Sequence, residues 1–255
     1  MEERLAPQRL AAEVAACLGF YTRLPASWLG LQEVSFAEAQ WAAPVAGAVV
    51  GLLAGTGFGI AAWLGLPPAP AAVAALGVAL LATGSLHEDG VADVADGFGG
   101  GNTRERKLEI MKDSRNGTFG VVALVMTLLA RWAAIVAIGA AGPTFAALVA
   151  AHAASRALIP AFMNMVRPAK PGGLSAGIGQ VPGNAALAAL GLGAIALLLA
   201  GFWTAVAAAI CLAFLFFAMK WLTECQIGGQ TGDVLGALQQ AGEITVLFVM
   251  AAHLS

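Results

Sequence analysis

From about residue 40 to the C-terminus, long apolar runs alternate with short polar interruptions. Each run has the length of a bilayer crossing, about 17–25 residues. The runs lie near 40–64, 70–86, 118–139, 144–166, 185–201, 203–222 and 231–252, which predicts seven spans. Leu66-Pro67-Pro68, Gly142-Pro143 and Gly201 punctuate them as tight turns. Two stretches break the rule. Residues 7–24 predict an amphipathic helix with Leu10, Val14, Cys17, Leu18 and Tyr21 on one side, stopped by Pro25 and too charged to span. Residues 102–115 interleave Arg104, Arg106, Lys107, Lys112 and Arg115 with Glu105, Glu109 and Asp113, while Leu108 and Met111 supply an apolar face. That pattern predicts a short helix lying along the membrane surface. In the first span Gly47, Gly51, Gly55 and Gly59 recur every four residues, a small-residue stripe that lets another helix approach closely.

The predicted fold is therefore all-α: a polytopic integral membrane helical bundle of about seven transmembrane helices, with an N-terminal interfacial helix and an amphipathic helix on the cytoplasmic face. It reads as one domain over 1–255, in which 1–35 is the interfacial segment. Composition agrees with burial in lipid. The chain of 255 residues is 59% hydrophobic and 11% charged, whereas soluble domains average about 45–50% apolar and about 25% charged. Cys17, Cys211 and Cys225 form an odd, unpatterned set that suggests neither a disulfide framework nor a zinc site. Glu2, Glu3, Arg4, Arg9 and Glu13 break up any apolar core of a cleavable signal peptide.

Charge placement orients the bundle. Arg4, Arg9 and Arg23 precede the first span, Arg104 to Arg115 follow the second, Arg167 and Lys170 follow the fourth, and Lys220 ends the sixth. The alternate loops 65–69, 140–143 and 201–202 hold no Lys or Arg. By the positive-inside rule the N-terminus and the 87–117 loop are cytoplasmic, and seven spans leave the C-terminus outside.

Within that loop, His87-Glu88-Asp89-Gly90-Val91-Ala92-Asp93-Val94-Ala95-Asp96-Gly97 crowds four acids into nine positions. As a helix it sets Asp89, Asp93 and Asp96 at i, i+4 and i+7, on one face. Like charges that close repel, and more so near lipid. A hard divalent cation resolves the conflict, because Mg²⁺ is held by a few carboxylates with waters and substrate phosphates completing its shell. The plainer alternative is a solvated acidic loop. Carboxylates for a metal beside Lys112 and Arg115 for phosphate oxygens are the parts phosphoryl transfer requires. For the remaining cations of the loop a membrane-surface anchor is the simpler reading, as a snorkelling anchor is for Arg23. Inside the spans, Arg156 needs a carboxylate, a phosphate or carbonyls. A role in the site and a structural pair with Glu243 or Asp233 both answer that need. Arg131 reads as packing or an interhelical pair, and His152 as a neutral core residue. The Gly-rich segment around Thr231-Gly232-Asp233, followed by Glu243, predicts a second wall of the site on the same side.

These residues resemble the cobalamin synthase family, the adenosylcobinamide-GDP ribazoletransferases that assemble the nucleotide loop of vitamin B12. The resemblance covers essentially the whole chain. It is carried by Phe20-Tyr21-Thr22-Arg23-Leu24-Pro25, His87 to Asp93 with Asp96-Gly97, Arg104 to Arg115, Gly117-Thr118-Phe119-Gly120, Thr231 to Ala237 and Glu243. It implies a Mg²⁺-dependent transferase of the inner membrane with its site facing the cytoplasm. Adenosylcobinamide-GDP would be joined to alpha-ribazole or its 5′-phosphate, and GMP would leave. On that basis Glu88, Asp89, Asp93 and Asp96 are expected to hold Mg²⁺, and Asp89, Asp93, Asp96 or Asp113 to take part in catalysis. Arg23, Lys112, Arg115, Asn116, Arg156, Thr231, Asp233 and Glu243 are expected at substrate. The lipid bilayer is an expected partner and nucleic acid is not; association of like chains is compatible with the pattern. A looser similarity to CDP-alcohol phosphotransferases lacks part of their acidic motif, since Ala92 precedes Asp93. A transporter would spread its charges through broken helices at mid-membrane, and here they gather on one face.

Overall fold

A computed structural model describes residues 7–26 and 33–254. Of the expected interfacial segment 1–35, residues 1–6 and 27–32 thus lie outside the described residues. The first helix, α1 (Pro7–Tyr21), turns Cys17 and Tyr21 into the protein. Its Tyr21 hydroxyl donates to Gln40 Oε1 at 2.7 Å. A short α2 (Phe36–Ala39) runs through a tighter turn at Gln40–Ala42 into α3 (Ala43–Trp63). The amphipathic start and the first span therefore appear where the periodicity put them.

The next apolar run is interrupted. Helix α4 (Pro68–Thr83) ends at Gly84, whose φ of 64° is left-handed and whose N–H closes on the Leu80 carbonyl. Ser85 follows, also with positive φ (59°). Glycine takes this conformation freely, whereas it is uncommon for serine. Two left-handed residues in succession swing α5 (Leu86–Gly100) by 89° away from α4. The acidic stretch is thus a separate helix set nearly perpendicular to α4, and the span expected at 70–86 stops three residues early.

A seven-residue α6 (Arg104–Ile110) is capped by Thr103, whose side chain accepts the Arg106 N–H. It is shorter than the expected 102–115 helix. Then come α7 (Thr118–Ile138), α8 (Ala141–Met165), a short α9 (Leu174–Ile178), α10 (Gly183–Leu197), α11 (Phe202–Ile227) and α12 (Gly232–Leu254). Among the described residues six helices are long and apolar enough to cross a membrane, and up to seven if the bent α4–α5 pair counts as one. The protein is a multi-pass helical membrane protein. Leu81, Leu187, Phe214 and Trp221 face outward, an apolar exterior far beyond what a water-exposed surface carries.

The hub is α8, 89% of whose apolar segment is buried, against 22% for α7. The α3 glycine stripe explains the tightest contact. A methyl group on Gly47 would collide with the His152 carbonyl, and one on Gly51 would lie 2.6 Å from the Leu148 oxygen. Gly55 meets Phe145, while Gly59 faces open space. Three of the four stripe positions therefore let α3 lie directly on the α8 backbone, as small residues do between spans.

Candidate active site

Helix α5 sorts its four acids by direction. Glu88 points inward and is buried. Its Oε1 lies 3.0 Å from Arg131 Nη1 on α7 and accepts from Gln240 Nε2 on α12 at 3.1 Å. Asp96, at the far end, is also buried and accepts two backbone N–H groups at the start of α7, from Gly117 at 2.7 Å and Gly120 at 2.9 Å. Those are orphan donors of a helix N-terminus, where a carboxylate is favoured by both hydrogen bonding and the helix dipole. Of the four acids expected at Mg²⁺, Glu88 and Asp96 thus have protein partners. Among the described residues no three His, Cys, Asp or Glu side chains converge closely enough to enclose an ion by themselves.

Asp89 and Asp93 remain. Asp89 is exposed and Asp93 half-buried, and neither carboxylate hydrogen-bonds or ion-pairs with another described residue. Asp233, at the first turn of α12, lies within electrostatic reach of both. The approach is close because Gly90 lacks a side chain; a Cβ there would sit 2.6 Å from the Asp233 carbonyl oxygen. Thr231 donates its hydroxyl to Asp233 Oδ2 at 3.1 Å.

Asp89 and Asp233 border a cavity of about 320 Å³, which Thr231, Gln230, Lys112 and Lys170 also line and Tyr21 and His87 back. The loop after α8 supplies Lys170. It is stitched to the segment before α12 by Gln230 N–H to the Arg167 carbonyl (2.9 Å) and Ala169 N–H to the Gln230 carbonyl (2.8 Å). Arg104 reaches across from α6 to the Ile227 carbonyl at 2.7 Å and to the Ala169 carbonyl, and Lys107 donates to Gln226. These two cations are thus braces of the mouth. Burial, reinforced by Lys112, holds the Lys170 ammonium below the ordinary lysine range, with Asp233 opposing. Lys170 was expected only as a topology-setting charge, and no spacing in the sequence ties it to Gln230. On the other side of Asp89 lies a more open groove of about 630 Å³, where Arg23, Asn116 and Ser85 line the wall.

Other expected site residues lie elsewhere. Arg115 is exposed and clamps Asp113 with two side-chain hydrogen bonds, 3.0 and 2.7 Å. That clamp holds the Asp113 carboxyl down to about 2, so Asp113 is too weak a base for neutral pH. Arg156 and Glu243 are sealed in the core and line neither cavity. Glu243 takes Arg131 Nη1 at 3.3 Å and Gln239 Nε2 at 2.8 Å, with His152 Nδ1 3.1 Å away. Arg156 donates to the His152 carbonyl at 3.2 Å. Arg115, Arg156 and Glu243, expected at substrate, and Asp113, expected in catalysis, thus line neither cavity. Buried charges are stable when paired and hydrogen-bonded, and this network ties α5, α7, α8 and α12 together.

A mouth that sets the unpartnered carboxylate of Asp89 beside two lysines at the end of an apolar bundle has the groups a membrane-embedded phosphoryl transferase uses. The match to known families is more particular. The chain belongs to the cobalamin-5-phosphate synthase family, whose model matches residues 13–251. It is 51% identical to the adenosylcobinamide-GDP ribazoletransferase of Mesorhizobium japonicum over 98% of this chain and 97% of that protein. The proteins of that name from Bradyrhizobium diazoefficiens and Brucella ovis are 47% and 40% identical, over 97% and 93% of this chain and 94% and 95% of their own lengths. No solved structure matches the chain.

Proposed function

We propose that this protein is an adenosylcobinamide-GDP ribazoletransferase, the enzyme that closes the nucleotide loop of cobalamin, working from the cytoplasmic face of the inner membrane. The observation that carries the reading is the unpartnered carboxylate of Asp89, facing Lys112 and Lys170 across one cavity, with Asp93 one turn further along α5. Lys112 and Lys170 bind the diphosphate of adenosylcobinamide-GDP as point charges, and Thr231 and Gln230 orient it by hydrogen bonding. A cavity of about 320 Å³ admits the reacting diphosphate and leaves the corrinoid outside. The hydroxyl of alpha-ribazole, or of its 5′-phosphate, attacks the phosphorus that carries cobinamide. The new oxygen–phosphorus bond forms as the bond to GMP breaks. Asp89, which borders both cavities, takes the hydroxyl proton.

The donors also fit Mg²⁺. One or two carboxylates completed by phosphate oxygens and water are how this ion is usually held beside a nucleotide. Asp89 and Asp93, one turn apart on α5, would be those carboxylates, with Asp233 within electrostatic reach. Bound there, the cation neutralises charge building on the diphosphate. The lysine- and arginine-rich loops at this end support a cytoplasmic orientation.

The test is purified protein in detergent with adenosylcobinamide-GDP and alpha-ribazole, with and without Mg²⁺. Metal-dependent GMP release in step with cobalamin formation is expected. GMP release that ignores the metal, or that persists in the double variant D89N/D93N, would overturn the mechanism.

A further inference from the structure

The lysine-lined cavity has a floor as well as a mouth. Lys112 and Asp89 are exposed and mark the mouth, whereas Tyr21, His87, Ile159, Met163 and Gln230 are buried. His87 is 2% exposed, and neither ring nitrogen hydrogen-bonds to a described residue. A neutral imidazole carries one donor and one acceptor, and polar atoms buried this deeply are normally paired. The ring lies flat against Tyr21, with centroids 6.0 Å apart and planes within 11°. Tyr21 is itself fixed by its hydrogen bond to Gln40. Gln230 is also 2% exposed. Its backbone is pinned by Arg167 and Ala169, yet its side-chain oxygen has no hydrogen-bond partner among the described residues. Two firmly held polar side chains thus reach the cavity with their bonding capacity unspent.

The diphosphate accounts for the lysines and cannot account for these atoms. Ionised phosphate oxygens only accept hydrogen bonds, so the Gln230 oxygen and the acceptor nitrogen of His87 need a donor from elsewhere on the ligand. The other buried lining residues are mixed. Tyr21, Ile159 and Met163 offer faces for a flat ring. Thr231 is spent on Asp233, and Ser175 adds one hydroxyl. A planar heterocycle with N–H donors as well as acceptors answers this set. Guanine is such a ring, and ribose tethers it to the diphosphate held at the mouth. The benzimidazole of alpha-ribazole has one acceptor nitrogen and no donor, so it would leave the Gln230 oxygen unpaired. The volume of about 320 Å³ lies at the small end of ligand pockets, which suits a nucleotide.

We propose that the floor of this cavity is the subsite that grips the base of the leaving nucleotide, with His87 and Gln230 as its hydrogen-bonding residues. The inference rests on the transferase reading above and adds where the guanine sits and which side chains hold it. Contacts to the base outlast the bond that breaks, so GMP alone is a ligand of this floor.

The measurement is the dissociation constant of the purified protein, in detergent with Mg²⁺, for GMP and for ribose 5-phosphate, which lacks the base. KM for each substrate is read alongside. GMP should bind about tenfold tighter than ribose 5-phosphate or better. H87F keeps a flat ring against Tyr21 and removes both nitrogens. It should weaken GMP about three- to tenfold while ribose 5-phosphate and KM for alpha-ribazole stay within about twofold. KM for adenosylcobinamide-GDP should rise in step with the GMP constant. Because H87F gives up no protein hydrogen bond, its melting temperature should stay near that of the unmutated protein. Should H87F fail to accumulate, Q230M carries the test, weakening GMP by more than it weakens ribose 5-phosphate. Equal loss for both ligands, an unchanged GMP constant, or a rise in KM for alpha-ribazole alone overturns the assignment. If the unmutated protein makes cobalamin but holds GMP no better than ribose 5-phosphate, this inference alone fails. If it makes no cobalamin at all, the transferase reading fails with it.

Discussion

Glu88 and Arg131 form an ion pair at 3.0 Å with both side chains almost wholly sealed from solvent. Arg131 also holds Glu243 at 3.3 Å, so one guanidinium joins α5, α7 and α12. Since Glu88 is the immediate neighbour of Asp89, this buried pair fixes which way the acidic helix is rolled. With Glu88 held by Arg131, its neighbour Asp89 opens to both cavities.

Removing Arg131 leaves two carboxylates buried together without their common partner. Breaking a buried pair in this way costs about 3–5 kcal/mol. R131A should therefore lose more thermal stability in detergent than E88A, in which Glu243 still neutralises Arg131. Equal loss in the two variants would mean that Glu243 is not sharing the charge.

Asp96 is predicted to act on stability before chemistry. A lost N-cap costs about 0.5–2 kcal/mol, and Asp96 accepts from both Gly117 and Gly120. D96N, which keeps one acceptor oxygen but sets an amide NH2 against the other N–H, should lower the midpoint of unfolding by several degrees and retain much of the GMP release. D89N, at an acid with no protein partner, should abolish turnover at near-normal stability. Turnover and melting of the two purified variants decide the matter.

Asp113 gives the opposite control. With its carboxyl held at about 2 by Arg115, it stays ionised and cannot accept a proton at neutral pH. D113N should change kcat by less than about twofold, whereas an essential base removed typically costs about 10²–10⁴.

The lowered pKa of Lys170 carries a pH prediction. A lysine is charged below its pKa, so a downward shift means the cation is lost earlier as pH rises. KM for adenosylcobinamide-GDP should climb on the alkaline side before an ordinary lysine would titrate. K170R, charged across the whole range, should flatten that rise.

The glycines supply a packing test. G51A and G90A each place a methyl 2.6 Å from a neighbouring backbone oxygen and should be poorly tolerated. G59A, which meets nothing, should leave stability within about 0.5 kcal/mol.

The bundle was largely legible before any coordinates, because a helix in lipid must satisfy its own backbone and present apolar side chains outward. That demand writes itself into run length, and the ends of α3, α7 and α8 fall within a few residues of the apolar runs. The α3 stripe was legible for a similar reason: close approach needs small residues at a fixed period. The acidic stretch also announced itself, since charge in so apolar a chain requires a partner.

What the partner is could not be read locally. Helical spacing sets Asp89, Asp93 and Asp96 on one face, but only the docked α7 N-terminus takes Asp96 away from that face. Only Arg131, far along the chain, turns Glu88 inward. Lys170 joins the cavity through backbone pairing between two loops separated by α9, α10 and α11. The amino-acid order by itself determined a lipid-embedded helical bundle with anionic and cationic chemistry at one end, because those properties follow from local period and composition. Tertiary structure alone decided which charges neutralise each other and which stay free for substrate, because that choice depends on contacts between residues distant in the chain.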